Sequence, residues 1–96
     1  DQECMLIWCQ TGLSGEVGEV SELIKKGIMH GHGLDIEKLA KELGDVCWYL
    51  AGICTVMGLS LEQVMDQNIQ KLLTRYPNGF SQQDSILRKD VEVVRP

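Results

Sequence analysis

From Val46 to Cys54 the chain reads Val-Cys-Trp-Tyr-Leu-Ala-Gly-Ile-Cys, with no charged residue. Wound as a helix, that segment is apolar nearly all round. A helix on the surface of a globular protein shows one apolar stripe, so this one must be covered on several sides. The apolar run continues to Leu59, 14 residues in all, whereas a bilayer-spanning helix needs about 20. A helix inside a bundle, at a subunit interface, or both, is the remaining solution. Size sharpens the point. The 96 residues amount to one domain, and a chain so short buries only about 60–65% of its unfolded surface. Its core is marginal alone, so the chain either packs very efficiently or borrows burial from a partner subunit; a homodimer or homotetramer is the expectation.

The rest of the chain is also helical in pattern. Apolar positions from Met5 through Leu13, Val17, Val20 and Ile24 to Ile28 keep a 3.6-residue period, predicting a first helix over Glu3 to Met29. Gly12 and Gly15 weaken it and mark a bend or break. Gly31-His32-Gly33 is a loop. Asp35 suits an N-cap, with Glu37 in the first turn, for a second helix over Ile36 to Met57. Ser60-Leu61-Glu62-Gln63 has the form of a capping box, opening a third helix that runs from Leu61 to Arg75 and stops at Tyr76-Pro77-Asn78-Gly79. Beyond it, Ile86–Arg88 suits a helical turn and Val91–Val94 an extended segment. The fold expected is all-α, a bundle of three to four helices over residues 1–80, with 81–96 as a C-terminal tail.

A net charge of −5, from 14 acids against 9 bases, argues against a bulk grip on DNA or RNA, which needs a basic face. Cys4, Cys9, Cys47 and Cys54 show neither a CxxC pair nor zinc spacing. Cys47 and Cys54 are seven apart, so they share a helix face and suit small buried apolar positions. Free thiols in a reducing cytoplasm are the expectation, with no secretory signal and no membrane partner.

Four of the acids form matched pairs, Glu16-Val17-Gly18-Glu19 and Glu42-Leu43-Gly44-Asp45. Residues three apart on a helix are neighbours on one face. Most helical acids are merely solvated, but here the internal pattern recurs, and each pair carries a glycine that costs about 0.5–1 kcal/mol relative to Ala. Close approach of the two helices at Gly18 and Gly44 is the expected reason. Two such helices, antiparallel and facing each other, gather four carboxylates that repel one another unless a cation lies between them. Oxygen ligands point to Mg²⁺, with Mn²⁺ as the alternative. Glu22 extends the first stripe; it suits a solvated or salt-bridged role first, an outer ligand or base second. On the third helix Asn68, Lys71 and Arg75 share one face and suit phosphate oxygens. His30 and His32 are not at helical spacing from an acid pair, so no di-iron ExxH motif exists. Trp8 and Trp48 suit core or interface packing before base stacking.

Three segments, Gly15 to Glu22, Lys41 to Leu50 and Asn68 to Pro77, together resemble the MazG-like nucleotide pyrophosphohydrolases. The ExxE and ExxD motifs stand 22 residues apart, and N-x-x-K-x-x-x-R-Y-P follows. The resemblance runs from about Leu13 to Phe80. It implies the all-α NTP pyrophosphatase fold and Mg²⁺-dependent cleavage of a nucleoside triphosphate between the α and β phosphates. By position it implies Glu16, Glu19, Glu42 and Asp45 as metal ligands, Lys71 and Arg75 at the phosphates with Asn68 assisting, and Tyr49, one turn after Asp45, at a phosphate or sugar. Glu19 or Glu22 would take a proton from the attacking water. Gly15 and Lys41 stand where many relatives carry a further acid. Two rivals are a nucleotide sensor that binds without turnover and a structural bundle whose acids only solvate a groove.

Overall fold

In the computed structural model, which describes residues 1–79 and 81–88, the chain is all-helical and divides into two compact units, Asp1–Leu59 and the remainder from Ser60. The first unit is an antiparallel hairpin of α1 (Gln2–Ile28) and α2 (Ile36–Val56). Each helix begins on a side-chain cap. The Asp1 carboxylate accepts from the Cys4 N–H at 2.8 Å, and the Asp35 carboxylate accepts from the Lys38 N–H at 3.1 Å, satisfying amide donors that lack partners within the helix. The end of α2 is closed by Gly58 at φ +68. With that left-handed residue in place, the Leu59 N–H reaches the Cys54 carbonyl at 2.8 Å and the Gly58 N–H reaches Thr55 at 3.2 Å, the paired bonds of a Schellman cap.

The glycines of α1 and α2 act differently from the sequence expectation. Despite Gly12 and Gly15, α1 runs as one helix. Gly12 is a contact point: a Cβ there would overlap the Tyr49 ring. Likewise a Cβ on Gly52 would lie 3.0 Å from the Cys9 sulfur. By contrast, Gly18 and Gly44 face open space, so the close helix approach assigned to them occurs instead one to two turns nearer the Cys9–Gly52 end. At that end of the seam small residues meet two aromatics, with Trp8 against Tyr49 edge-on at a centroid distance of 5.5 Å.

Cys9 and Cys54 are the buried residues of this hairpin, at 4% and 5% exposure. Cys47 is exposed, which corrects the burial expected for it. Seven-residue spacing does put the two cysteines on one stripe of α2, but the cover that buries Cys54 does not extend to the level of Cys47. All four cysteines are free thiols. Trp8, Trp48, Leu43 and Leu50 remain exposed, because within a hairpin each helix covers only one side of the other.

The second unit contains α3 (Leu61–Arg75) and α4 (Gln82–Leu87). Ser60 caps α3, its hydroxyl accepting from the Gln63 N–H at 3.3 Å. Ser81 caps α4 by accepting from the Asp84 N–H at 3.0 Å. The turn expected at Ile86–Arg88 is the end of α4. The extended segment expected at Val91–Val94 lies outside the described residues. Among the described residues no single helix is long and apolar enough to cross a membrane.

Candidate functional site

Along the hairpin seam, past the Gly12–Tyr49 contact, the apolar packing gives way to acid. Glu16 of α1 and Glu42 and Asp45 of α2 each place a carboxylate oxygen so that all lie within 4.8 Å of one another. The helical register explains it: Glu16 stands one turn past Gly12, and Asp45 one turn before Tyr49. Glu16 and Glu42 are half-buried and Asp45 is exposed, so the cluster opens to solvent on one side.

Crowding shows in the chemistry of Glu16. Partial burial, the Asp45 charge, a hydrogen bond with Glu42 and the charges of Glu42 and Glu19 all push its carboxyl above the ordinary value. Each of these favours the neutral form. Hard oxygen donors of high negative charge, open on one side, suit Mg²⁺, which keeps several waters beside one or two carboxylates. Mn²⁺ accepts the same donors.

Glu19 lies outside that trio. It is exposed and lines, with Glu22, Leu23, Lys26, Lys38 and Glu42, an adjoining cavity of about 80 Å³. Glu22 is paired with Lys26 at 3.6 Å, one turn along α1, both half-exposed. Tyr49 is fixed by its contacts with Gly12 and Trp8. On the other flank of that packing, Met5, Trp8, Cys9, Trp48, Ala51 and Gly52 help to line an apolar groove of about 320 Å³.

The remaining sequence candidates belong to the second unit. Asn68 and Lys71 line a shallow hollow on α3 with Val64 and Gln67. The Arg75 guanidinium lies over the Tyr76 ring at 5.8 Å, within cation–π range. A hydrogen bond with Ser85 ties Tyr76 to α4 and, with a hydrogen bond and charge from Arg75 and the charge of Arg88, lowers its phenol against the opposing effect of burial. His30 and His32 stand in the α1–α2 loop with ring centroids 6.3 Å apart.

One feature escaped the sequence reading, whereas the lysines of the small cavity are legible in it as possible ion-pair partners on the helix surface. The Gly12–Tyr49 contact requires knowing how the two helices are rotated at the seam, which spacing does not give. The lysines of the small cavity had a legible signal: Lys38 falls four residues before Glu42 and Lys26 seven after Glu19, so each shares a face with an acid.

Comparison with known proteins bears on this geometry. The model of the MazG nucleotide pyrophosphohydrolase domain matches residues 9–80, a span that contains both acid pairs and α3. The Gene 37 protein of Mycobacterium phage L5 is 33% identical over 81 residues, covering 80% of this chain and 71% of that protein. No solved structure matches the chain. On the extent of the domain match, the chain belongs to the MazG nucleotide pyrophosphohydrolase family.

Proposed function

We propose that the protein is a Mg²⁺-dependent nucleoside triphosphate pyrophosphohydrolase, converting an NTP or dNTP and water to the monophosphate and pyrophosphate in control of the nucleotide pool. The observation that carries this reading is the meeting of Glu16, Glu42 and Asp45 within 4.8 Å, inside the span matched by the family domain. Glu16, Glu42 and Asp45 hold the cation, with Glu19 beside them. When bound, the cation neutralises phosphate oxygens and lowers the pKa of a coordinated water.

Glu19 and Glu22 are the candidates for accepting the proton of the attacking water. Glu22 is already engaged by Lys26, which favours Glu19. Lys71 and Arg75, with Asn68, bind the phosphates and stabilise charge on the leaving pyrophosphate. Tyr49 borders a phosphate or the sugar, its ring held by Gly12 and Trp8. Residues 1–80 form the catalytic domain and 81–96 its tail. The reading places the enzyme in the cytoplasm with no nucleic-acid or membrane partner, as a homodimer or homotetramer that covers the exposed apolar flank of α2.

Pyrophosphate and monophosphate release from a panel of NTPs and dNTPs, with Mg²⁺ and with chelator, tests the reading. Turnover that requires Mg²⁺ and vanishes in Asp45→Asn is the expected result. Saturable binding with no product would favour a sensor. Neither binding nor product would leave a structural bundle.

A further inference from the structure

The cavity beside the acid trio is lined by carboxylates and ammonium groups together. Glu19, Glu22 and Lys26 come from α1, and Glu42 and Lys38 from α2. Glu42 belongs to both the cavity and the trio, so the two are continuous. At about 80 Å³ the cavity has room for roughly five waters, the scale of a small hydrated anion.

Lys38 is the unusual member. It stands in the first turn of α2, its own N–H bonded to the capping Asp35. A cation there opposes the positive end of the helix dipole. Lys26, in the last turn of α1, is where the dipole favours a cation. Lys26 is also matched to Glu22. Lys38 lines a cavity with three carboxylates, yet its position is not justified by the dipole, and among the described residues it makes no ion pair within 4 Å. Lysines from both helices enter the space that adjoins the acid trio. Two ammonium groups thus stand among the carboxylates beside the trio, with Glu42 shared between the two places, where an anion that accompanies a cation held by the trio would meet positive charge.

We infer that Lys38, assisted by Lys26, binds the end of the polyphosphate that departs as pyrophosphate, next to the cation held by Glu16, Glu42 and Asp45. The inference rests on the hydrolase reading and adds to it a phosphate contact on the same hairpin as the acids. Lys38 is exposed on the first turn, so its replacement leaves the helix cap and the packing intact.

The test is calorimetric titration of the full chain, at saturating Mg²⁺, with inorganic pyrophosphate. Wild type should bind, and Lys38→Met should bind about tenfold or more weakly, the loss that accompanies one charge-assisted hydrogen bond. Lys38→Arg should retain most of the affinity, Lys25→Met should match wild type, and Mg²⁺ binding alone should be unchanged in Lys38→Met. Equal pyrophosphate affinity in Lys38→Met and wild type would overturn the inference, as would no pyrophosphate binding by wild type. Turnover assays on the same variants keep the two readings apart. Triphosphate hydrolysis with no dependence of pyrophosphate binding on Lys38 removes this contact and spares the hydrolase. Lys38-dependent binding without hydrolysis does the reverse.

Discussion

Glu16 carries the tension of the site in one side chain. Its carboxyl is held above the ordinary value near 4.5 by partial burial, by Asp45 and by a hydrogen bond with Glu42, so the metal-free fold binds a proton there more tightly than the unfolded chain does. A group whose pKa is raised on folding favours the fold fully below its unfolded pKa, and that contribution is lost as pH rises through the folded pKa. In chelator, wild type should therefore lose stability relative to Glu16→Gln as pH climbs from about 4.5 toward neutrality, read as a widening gap in Tm between the two proteins. Saturating Mg²⁺ should close the gap from the wild-type side, because a ligand that binds only the folded state stabilises it. A constant gap across that range would mean that Glu16 does not feel its neighbours. The acid pairs themselves were legible as residues, since i, i+3 spacing fixes a shared face. What spacing left open was which acid points inward: Glu16, Glu42 and Asp45 meet, while Glu19, three residues from Glu16, turns to the neighbouring cavity.

At the scale of elements, helix ends were the most readable part of the chain. Asp35 and Ser60 cap where the sequence places them, and α3 spans Leu61–Arg75 as expected from its capping box and the Pro77 stop. The short α4 was visible only as its last turn. Its cap, Ser81 with Asp84 three residues on, has the same logic as the cap of α3 but opens a helix of only six residues, too brief for a periodic pattern. Helix rotation was not legible, and the glycines show why: Gly12, Gly18 and Gly44 look alike in sequence, yet one lies under an aromatic ring and two face open space. That difference makes a matched prediction. Gly12→Ala should destabilise the hairpin by about 1–3 kcal/mol through overpacking on Tyr49. Gly18→Ala and Gly44→Ala should each stabilise it by about 0.5–1 kcal/mol through helix propensity. Denaturant unfolding of the three variants decides it, and three changes of the same sign would contradict the seam described.

For the whole molecule, the deciding fact is how little a hairpin can bury. Within the first unit, a segment apolar on every side packs against α1, and Trp48 is left 72% exposed and Trp8 58% exposed. Both border the apolar groove of the first unit. A second copy laid over them, as in the homo-oligomer proposed, would supply the burial that a chain this small lacks. Trp48→Glu, a charge on that flank, should lower the solution mass toward the 10.8 kDa of one chain, as read by light scattering across a concentration series. An unchanged assembly would place the interface elsewhere.

The cation site is the claim on which substrate, chemistry and the phosphate contact all depend. Its most direct test is a calorimetric titration of the nucleotide-free protein with Mg²⁺, repeated on Glu42→Gln and Asp45→Asn. The account predicts saturable binding by wild type and affinity lower by about tenfold or more in each variant, the loss expected when a charged ligand becomes a neutral amide. Equal Mg²⁺ affinity in all three proteins, with the variants folded, would contradict it.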